Sequence, residues 1–467
     1  MFLGILRKEI LLSVVSFRFV ISVALLFVLI VGSLQIMAIN YTRRVDDFES
    51  STATHKENLR NMATLMDFIG FGVAKDPRPP LLGIFAVGLD QKMSSSFMVP
   101  GYNILDMQGL HSPAYFERFS EMTGMEMEGS KYANPIFTLF QPPDFIYVIN
   151  VVLSLFAILF AFDCISGEKE DQTLKLMLAN SVPRDIVLFA KWLGGTLTIL
   201  APFAVSFGLG LLLVAARPGI SFAGEAPMRI LLIFMTSAIY IGVFFLIGLV
   251  CSTFTERSAT SLIVALFVWV FFVLVVPNIA PVVARQLKPL STPDQVAYSL
   301  ELKNRELAKK LEKSEDKSDK FKDELKDEMQ QYVKINETEW QNRLAAQTKL
   351  AMNISRISPS ANFVYASTHI AGTGIEDFQG FKQDIVRYRD MLKNVDKKKL
   401  YDFDSTKPFP PQMFIKMNIE EVPEFTIKQK SIEDSINFSL IDIGILIMYM
   451  ILLFMASFVG FLRYDVK

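Results

Sequence analysis

Six long stretches of this chain carry no charged residue: Phe19–Thr42, Phe145–Phe162, Trp192–Ala216, Ile230–Thr255, Ser258–Ala284 and Ile443–Leu462. Each is about as long as the roughly 17–25 apolar residues that carry a helix across a bilayer. Backbone polar groups find no water in lipid, so only helices and closed barrels span it, and uninterrupted apolar runs of this length predict helices. A buried core helix is the alternative for any one window, but six such windows in one chain argue against it. Arg7 and Lys8 form a basic start to the first window, as in a secretory signal, yet the apolar run is too long and no small-x-small cleavage site follows. It predicts a retained first span.

With 47 basic and 48 acidic residues the chain is balanced, which gives no reason to expect nucleic acid as a partner. Basic residues in short segments set orientation. If the N-terminus is cytoplasmic, the inside segments hold Arg7, Lys8, Arg18, Lys169, Lys175, Arg184, Lys191, Arg257, Arg463 and Lys467. The short outside loop between spans three and four then holds only Arg217 and Arg229. Both termini are therefore expected inside. Residues 1–18 are expected as an interfacial helix, followed by spans at 19–38, 144–162, 188–214, 230–250, 259–282 and 437–462. Residues 39–143 and 283–434, more than half the chain, fall outside the cytoplasm. The predicted class is a mainly α membrane protein with an interfacial N-terminal helix and two large extracytoplasmic insertions.

The first insertion begins as an extension of span one and is then broken by the prolines of "KDPRPPLLGIFAVGLD", which predicts a small mixed α/β domain. The second is expected to be mostly helical. Between Leu300 and Met329 almost two residues in three are charged, with Leu307, Leu311, Phe321, Leu325 and Met329 spaced by about one helical turn or its multiples. This predicts a hairpin of amphipathic helices, either an arm that reaches a partner or a solvated pair resting on its own domain. Beyond it, "SPSANFVYASTHIAG" returns to apolar character.

Chemistry-bearing patterns are sparse. Cys164 and Cys251 both fall at predicted cytoplasmic span ends, so the outer insertions hold no disulfide framework. His55, His111 and His369 are scattered without metal-site spacing, and no metal site is expected. No GxxxxGK[ST] loop and no nucleophile elbow occurs, so neither a P-loop ATP site nor an enzyme is expected in this chain. Asn150, Lys191 and Asp442 are polar residues within or beside spans, where a functional role is the default hypothesis. Lys191 and Asp442 fall near span ends and are expected at headgroup level, Lys191 by snorkelling.

The segment between spans two and three, residues 163–187, is compact and charged. Ser166 suits an N-cap, and Glu168, Glu170 and Asp171 follow where the helix dipole favours acids. Leu174, Met177 and Leu178 fall at i, i+3 and i+4, and Asn180, Ser181 and Pro183 end this helix and open the next. The expectation is a helix of about three turns on the inner surface, acids outward. It either covers the end of the bundle or docks a soluble partner.

Asp163, Ser166, Gly167, Glu168, Glu170, Thr173, Leu174, Leu178, Pro183, Arg184 and Lys191 match the cytoplasmic loop of ABC exporter permeases of the ABC-two type, which this chain resembles. Gln172, where glycine is usual, and Met177, in place of leucine, depart from the pattern. The resemblance implies that Ser166, Gly167, Glu168, Glu170, Thr173, Leu174, Met177, Leu178, Pro183 and Arg184 couple the chain to a separate ATPase subunit. ATP and magnesium would then be bound by that ATPase, with no cofactor in this chain. The N-terminal helix, with Arg7, Lys8 and Glu9 and with Leu3, Leu6, Ile10, Val14 and Phe17 on one face, is similar to the family's connecting helix. "RPPLLGIFAVGLD" and "ISRISPSANF" resemble a subgroup of gliding-motility and copper-enzyme-maturation permeases. The resemblance further implies a multi-pass protein of the bacterial cytoplasmic membrane, paired with a second copy or a paralogous permease. An extracytoplasmic protein partner, with the chain as a mechanical transmitter, is the rival expectation. A membrane-anchored receptor without an ATPase is a weaker rival.

Overall fold

A computed structural model describes residues 2–62, 72–99, 144–175, 183–314, 318–395, 422–427 and 430–463. The described chain is mainly helical. Helix α1 (Phe2–Val15) leads into α2 (Phe17–Asn61), which is followed by a two-stranded antiparallel ribbon of β1 (Val73–Lys75) and β2 (Phe97–Val99), with Ala74 opposite Met98. Six helices are long and apolar enough to cross a membrane: α2, α3 (Phe145–Glu170), α4 (Arg184–Ala215), α5 (Ala226–Phe254), α6 (Ser258–Leu287) and α11 (Ile432–Leu462). Between α6 and α11 lie α7 (Pro293–Lys313), α8 (Asp319–Ser355), α9 (Pro359–Ala371) and α10 (Ile375–Asn394).

Helix α5 is the axis of the bundle. It packs against α3, α4, α6, α9 and α11, and its residues from Tyr240 to Leu249 are almost all buried. Close approach relies on missing side chains: a Cβ on Gly195 of α4 would lie 2.0 Å from the ring of Phe245 on α5. Helices α2, α6 and α11 keep long apolar faces exposed, among them Val28, Phe267 and Leu452, as lipid-facing helices do.

At the end of the bundle bearing the insertions (here the distal end), the two insertions share one core. Phe97 of β2 meets Phe425 edge-on at 4.9 Å, and both lie with Phe381 and Tyr388 of α10. Arg44, on the extension of α2, holds the buried Asp90 by two bonds of 2.6 and 2.7 Å. The described parts of the two insertions are therefore joined to each other and to span one.

Helices α7 and α8 lie side by side over their own apolar stripe of Leu300, Leu307, Leu325, Met329 and Trp340. Thr292 and Gln295 form a capping box that starts α7. At 37 residues α8 is about 55 Å long. Its far part rests on α6, with Trp340 and Gln347 donating to the carbonyls of Ser291 and Lys288.

The apolar "SPSANFVYASTHIA" segment becomes α9, buried except at Val364 and Tyr365 and wedged against α5 and α11. Ser358 caps its start, and Gly372 at φ 74° ends it in the left-handed region that glycine alone adopts without strain.

Candidate functional site at the proximal end

At the opposite, proximal end, residues 163–175 sit against the turn between α5 and α6. Ser166 is not the expected cap. It is fully buried, and its hydroxyl donates back to the Phe162 carbonyl at 2.8 Å. The backbone N–H groups of Ile165 and Ser166 instead both donate to Ser252 Oγ on α5, each at 2.9 Å. A residue 86 positions away satisfies the donors that a local cap was expected to take.

Two charges of this segment are tied to the turn between α5 and α6. Lys169 Nζ donates to the carbonyls of Thr253 and Thr255, the orphan acceptors at the end of α5. Glu170 Oε2 accepts from the backbone N–H of Ser258, which opens α6, at 3.2 Å. Gly167 lies against Asp163 and Ser258, the nearest atoms that a Cβ there would meet. Asp163 is bound by Arg18 at 2.7 Å, an exposed pair that contributes about 1 kcal/mol or less.

Glu168 forms part of a buried charge triad. Lys191 on α4, 2 % exposed, places its ammonium 2.9 Å from Glu168 Oε1 and 3.0 Å from Glu9 Oε1 of α1. The expected snorkelling does not occur, because both carboxylates reach the ammonium inside the protein. Helix α1 comes close enough because α4 has Gly194 there: a Cβ would meet Glu9 Cβ at 3.2 Å and Leu6 Cδ1 at 3.3 Å. The half-buried side of α1 is Phe2, Ile5, Leu6, Glu9, Ile10 and Ser13, centred on Glu9. Of the face expected from the sequence, Leu3, Val14 and Phe17 are exposed, as are Arg7 and Lys8.

The expected three-turn helix is interrupted. Helix runs over Ser166–Glu170, then Gln172 takes φ 58°, and residues 173–175 are helical again. This φ costs a non-glycine residue roughly 1–2 kcal/mol, which gives a physical reason for the glycine usual at this position in the resembled pattern. Glu170, Asp171, Gln172, Thr173 and Lys175 form the exposed tip, whereas Leu174 is fully buried with Ile165, Val187, Leu188 and Phe461. Met177 and Leu178, with Asn180 and Ser181, lie outside the described residues. Pro183 caps α4, and Arg184 donates to the carbonyls of Phe461 and Leu462 at the end of α11, both at 3.0 Å.

Glu9, Lys191 and Ser252 are the members of this site whose roles were missed. A lysine inside an apolar helix signals a carboxylate partner, and Glu9 is the acidic residue of α1. Nothing local marks Ser252. No cluster of three or more metal-ligating side chains occurs among the described residues.

The pattern of the family described as "ABC-2 family transporter protein" matches residues 3–466. The probable ABC transporter permease protein NosY of Pseudomonas aeruginosa is 32% identical over 128 residues, which are 26% of this chain and 45% of that relative. The chain thus spans less than half the length of the curated relative it matches.

Proposed function

This chain belongs to the ABC-2 family of transporter proteins, and on that premise we propose that it is the membrane-spanning subunit of an exporter driven by ATP hydrolysis in a separate subunit. The proximal end is assigned to the cytoplasm, with both termini there, in the bacterial cytoplasmic membrane. Two copies, or this chain and a paralogue, form the complete unit.

The observation that carries this reading is the Glu9–Lys191–Glu168 triad behind an exposed tip. A partner that pushes on Asp171 and Thr173 moves Ser166–Glu170 as a body. That body is bonded to α1 and α4 through Lys191, and to the α5–α6 turn through Ser252, Lys169 and Glu170. One displacement is thereby delivered to helices α1, α4, α5 and α6.

The test is co-purification with the ATPase encoded nearest to this chain. Asp171→Lys with Thr173→Glu should abolish association and stimulated hydrolysis while leaving the chain folded, since both positions are exposed. Unchanged association and hydrolysis would overturn the coupling assignment.

A second reading, mechanical action on an extracytoplasmic partner without a translocated substrate, is favoured by α9 filling the space between α5 and α11 and by the long, charge-rich α7–α8 pair. Deleting residues 296–340 separates the two. Transport by the complex survives under the exporter reading and function is lost under the transmitter reading.

A further inference from the structure

Two of the spans contain a π-helical turn, and both turns meet the first turn of α9. In α3 the turn covers Val148–Leu153, and in α6 it covers Val270–Val275. A π-turn holds one residue more than the surrounding α-helix, and in other proteins it concentrates at functional positions. The turn in α6 has a cause in the sequence. Pro277 has no N–H, and the N–H of Val276 donates five residues back to Phe271, so the Phe272 carbonyl is left without a ladder donor. Ser358 Oγ supplies that donor. In α3 the Asn150 carbonyl accepts from the hydroxyls of Ser154 and Tyr240, at 2.5 and 2.9 Å. The Asn150 side-chain oxygen accepts from Tyr240 at 2.8 Å and from Ser360 Oγ at 2.7 Å. Trp269, just before the second π-turn, donates to Ser154 Oγ at 2.9 Å and closes the circuit between the two spans.

We propose that the first turn of α9 is a latch that fixes the register of both π-turns, with Ser358 holding α6 and Ser360 holding α3. The extra residue of a π-turn cannot vanish, but it can move along the helix. Its position decides which faces of α3 and α6 meet α5. While Ser358 and Ser360 occupy Phe272 and Asn150, each extra residue is trapped. When α9 is drawn away, both are released. The consequence reaches the proximal end along α3 itself, because the helix that holds Asn150 runs to Ala161 and passes through four residues of turn into Ser166–Glu170. The latch also faces the insertions. Arg356, two residues before Ser358, is bonded to Asp442 of α11 at 2.6 Å, and Thr373, two residues past α9, donates to the Ala86 carbonyl at 2.9 Å. A load on the distal insertions therefore reaches α9 directly, through the segments that flank it on either side. This inference needs no ATPase partner and stands or falls separately from the proposed coupling.

Hydrogen–deuterium exchange of the full chain in lipid nanodiscs tests it. Ser358→Ala/Ser360→Ala should speed exchange of residues 163–175 by about fivefold, although these lie at the opposite end of the bundle. Ser360→Ala alone keeps the Ser358 cap of α9 and should shift the same residues in the same direction. The control is Ser439→Ala, which removes a hydroxyl donor to the Ala366 carbonyl, in the middle of α9, without touching either π-turn. It should leave residues 163–175 unchanged. Exchange that rises only around 355–362 in the serine variants overturns the latch, and so does an equal rise at 163–175 in Ser439→Ala, which would mean general loosening.

Discussion

Lys191 Nζ lies 2.9 Å from Glu168 Oε1, so the segment that ends α3 is held to α4 by a charge pair with almost no access to water. Glu9 completes the site from α1. Removing the lysine leaves two carboxylates facing each other with only partial hydration. Lys191→Met should therefore destabilise the chain by about 3–5 kcal/mol. The triple variant Glu9→Gln, Glu168→Gln, Lys191→Met leaves no charge uncompensated and should recover most of that loss. Melting temperatures of the natural chain, the single variant and the triple variant check this. Equal losses in the single and triple variants would show that burial of charge is not the controlling term.

Gln172 tests the break in the proximal segment. Its φ of 58° suits glycine and disfavours branched side chains most. Local opening of residues 163–175 should rank Gln172→Gly slowest, the natural chain next and Gln172→Val fastest, with about 1 kcal/mol between the extremes and the middle. Amide exchange reads the order, and any other ranking contradicts the left-handed conformation.

The six spans were legible because each is a continuous apolar window, a local property. The position of the proximal segment was legible for the same reason, as a charged interval between two such windows. Its internal wiring was not. Ser166 reads as a cap only while its neighbours are sequence neighbours, and Ser252, 86 residues on, takes that role. Lys191 reads as a snorkelling residue unless Glu9, 182 positions away, is brought to it by the close approach at Gly194. The same holds distally. Phe97 and Phe425 look like members of separate insertions, and only their contact shows one shared core. The burial of α9 was hinted at by its apolar composition, but its partners, the Phe272 carbonyl of α6 and the Asn150 side chain of α3, lie far from it in sequence.

Helices α7 and α8 carry many ion pairs, yet their stability should rest on the apolar stripe. Lys303 and Lys310 both reach Glu328, at 2.8 and 3.2 Å, with all three side chains partly or largely in water. Exposed pairs contribute about 0–1 kcal/mol and weaken with salt. Glu328→Gln should therefore shift stability by less than about 1 kcal/mol. Leu307, fully buried, should cost about 2–5 kcal/mol on replacement by Ala. A larger loss from Glu328→Gln than from Leu307→Ala in thermal unfolding would reverse this ranking.

The distal unit should carry an acid-sensitive contact. Burial alone would raise the Glu376 carboxyl, but His369, whose Nε2 is 3.0 Å from Glu376 Oε2, outweighs it and holds the carboxyl below its ordinary value. A carboxyl lowered in the folded state adds stability that is present above its unfolded pKa of about 4.3 and is lost as pH falls through the folded value. The difference in melting temperature between the natural chain and Glu376→Gln should be full near neutral pH and shrink below about pH 4. A difference that stays constant with pH would remove Glu376 from this role.

Arg229 should prove the least replaceable residue at the distal end. It is 8% exposed, and its guanidinium fork serves four partners on separate elements. One terminal nitrogen donates to the Ile370 carbonyl in the last turn of α9 and to Ser435 Oγ of α11, at 2.9 and 2.8 Å. The other donates to the Lys430 carbonyl and to Glu225, at 2.9 and 3.1 Å. A lysine carries the same charge but presents one nitrogen, so it can reach only part of this set. The remaining buried acceptors would each lose a donor, at about 1–3 kcal/mol. Arg229→Lys should therefore be nearly as damaging as Arg229→Met, in melting temperature and in exchange of residues 366–374. If Arg229→Lys behaves as the natural chain does, charge alone holds the end of α9, and the geometry of the fork has no part in it.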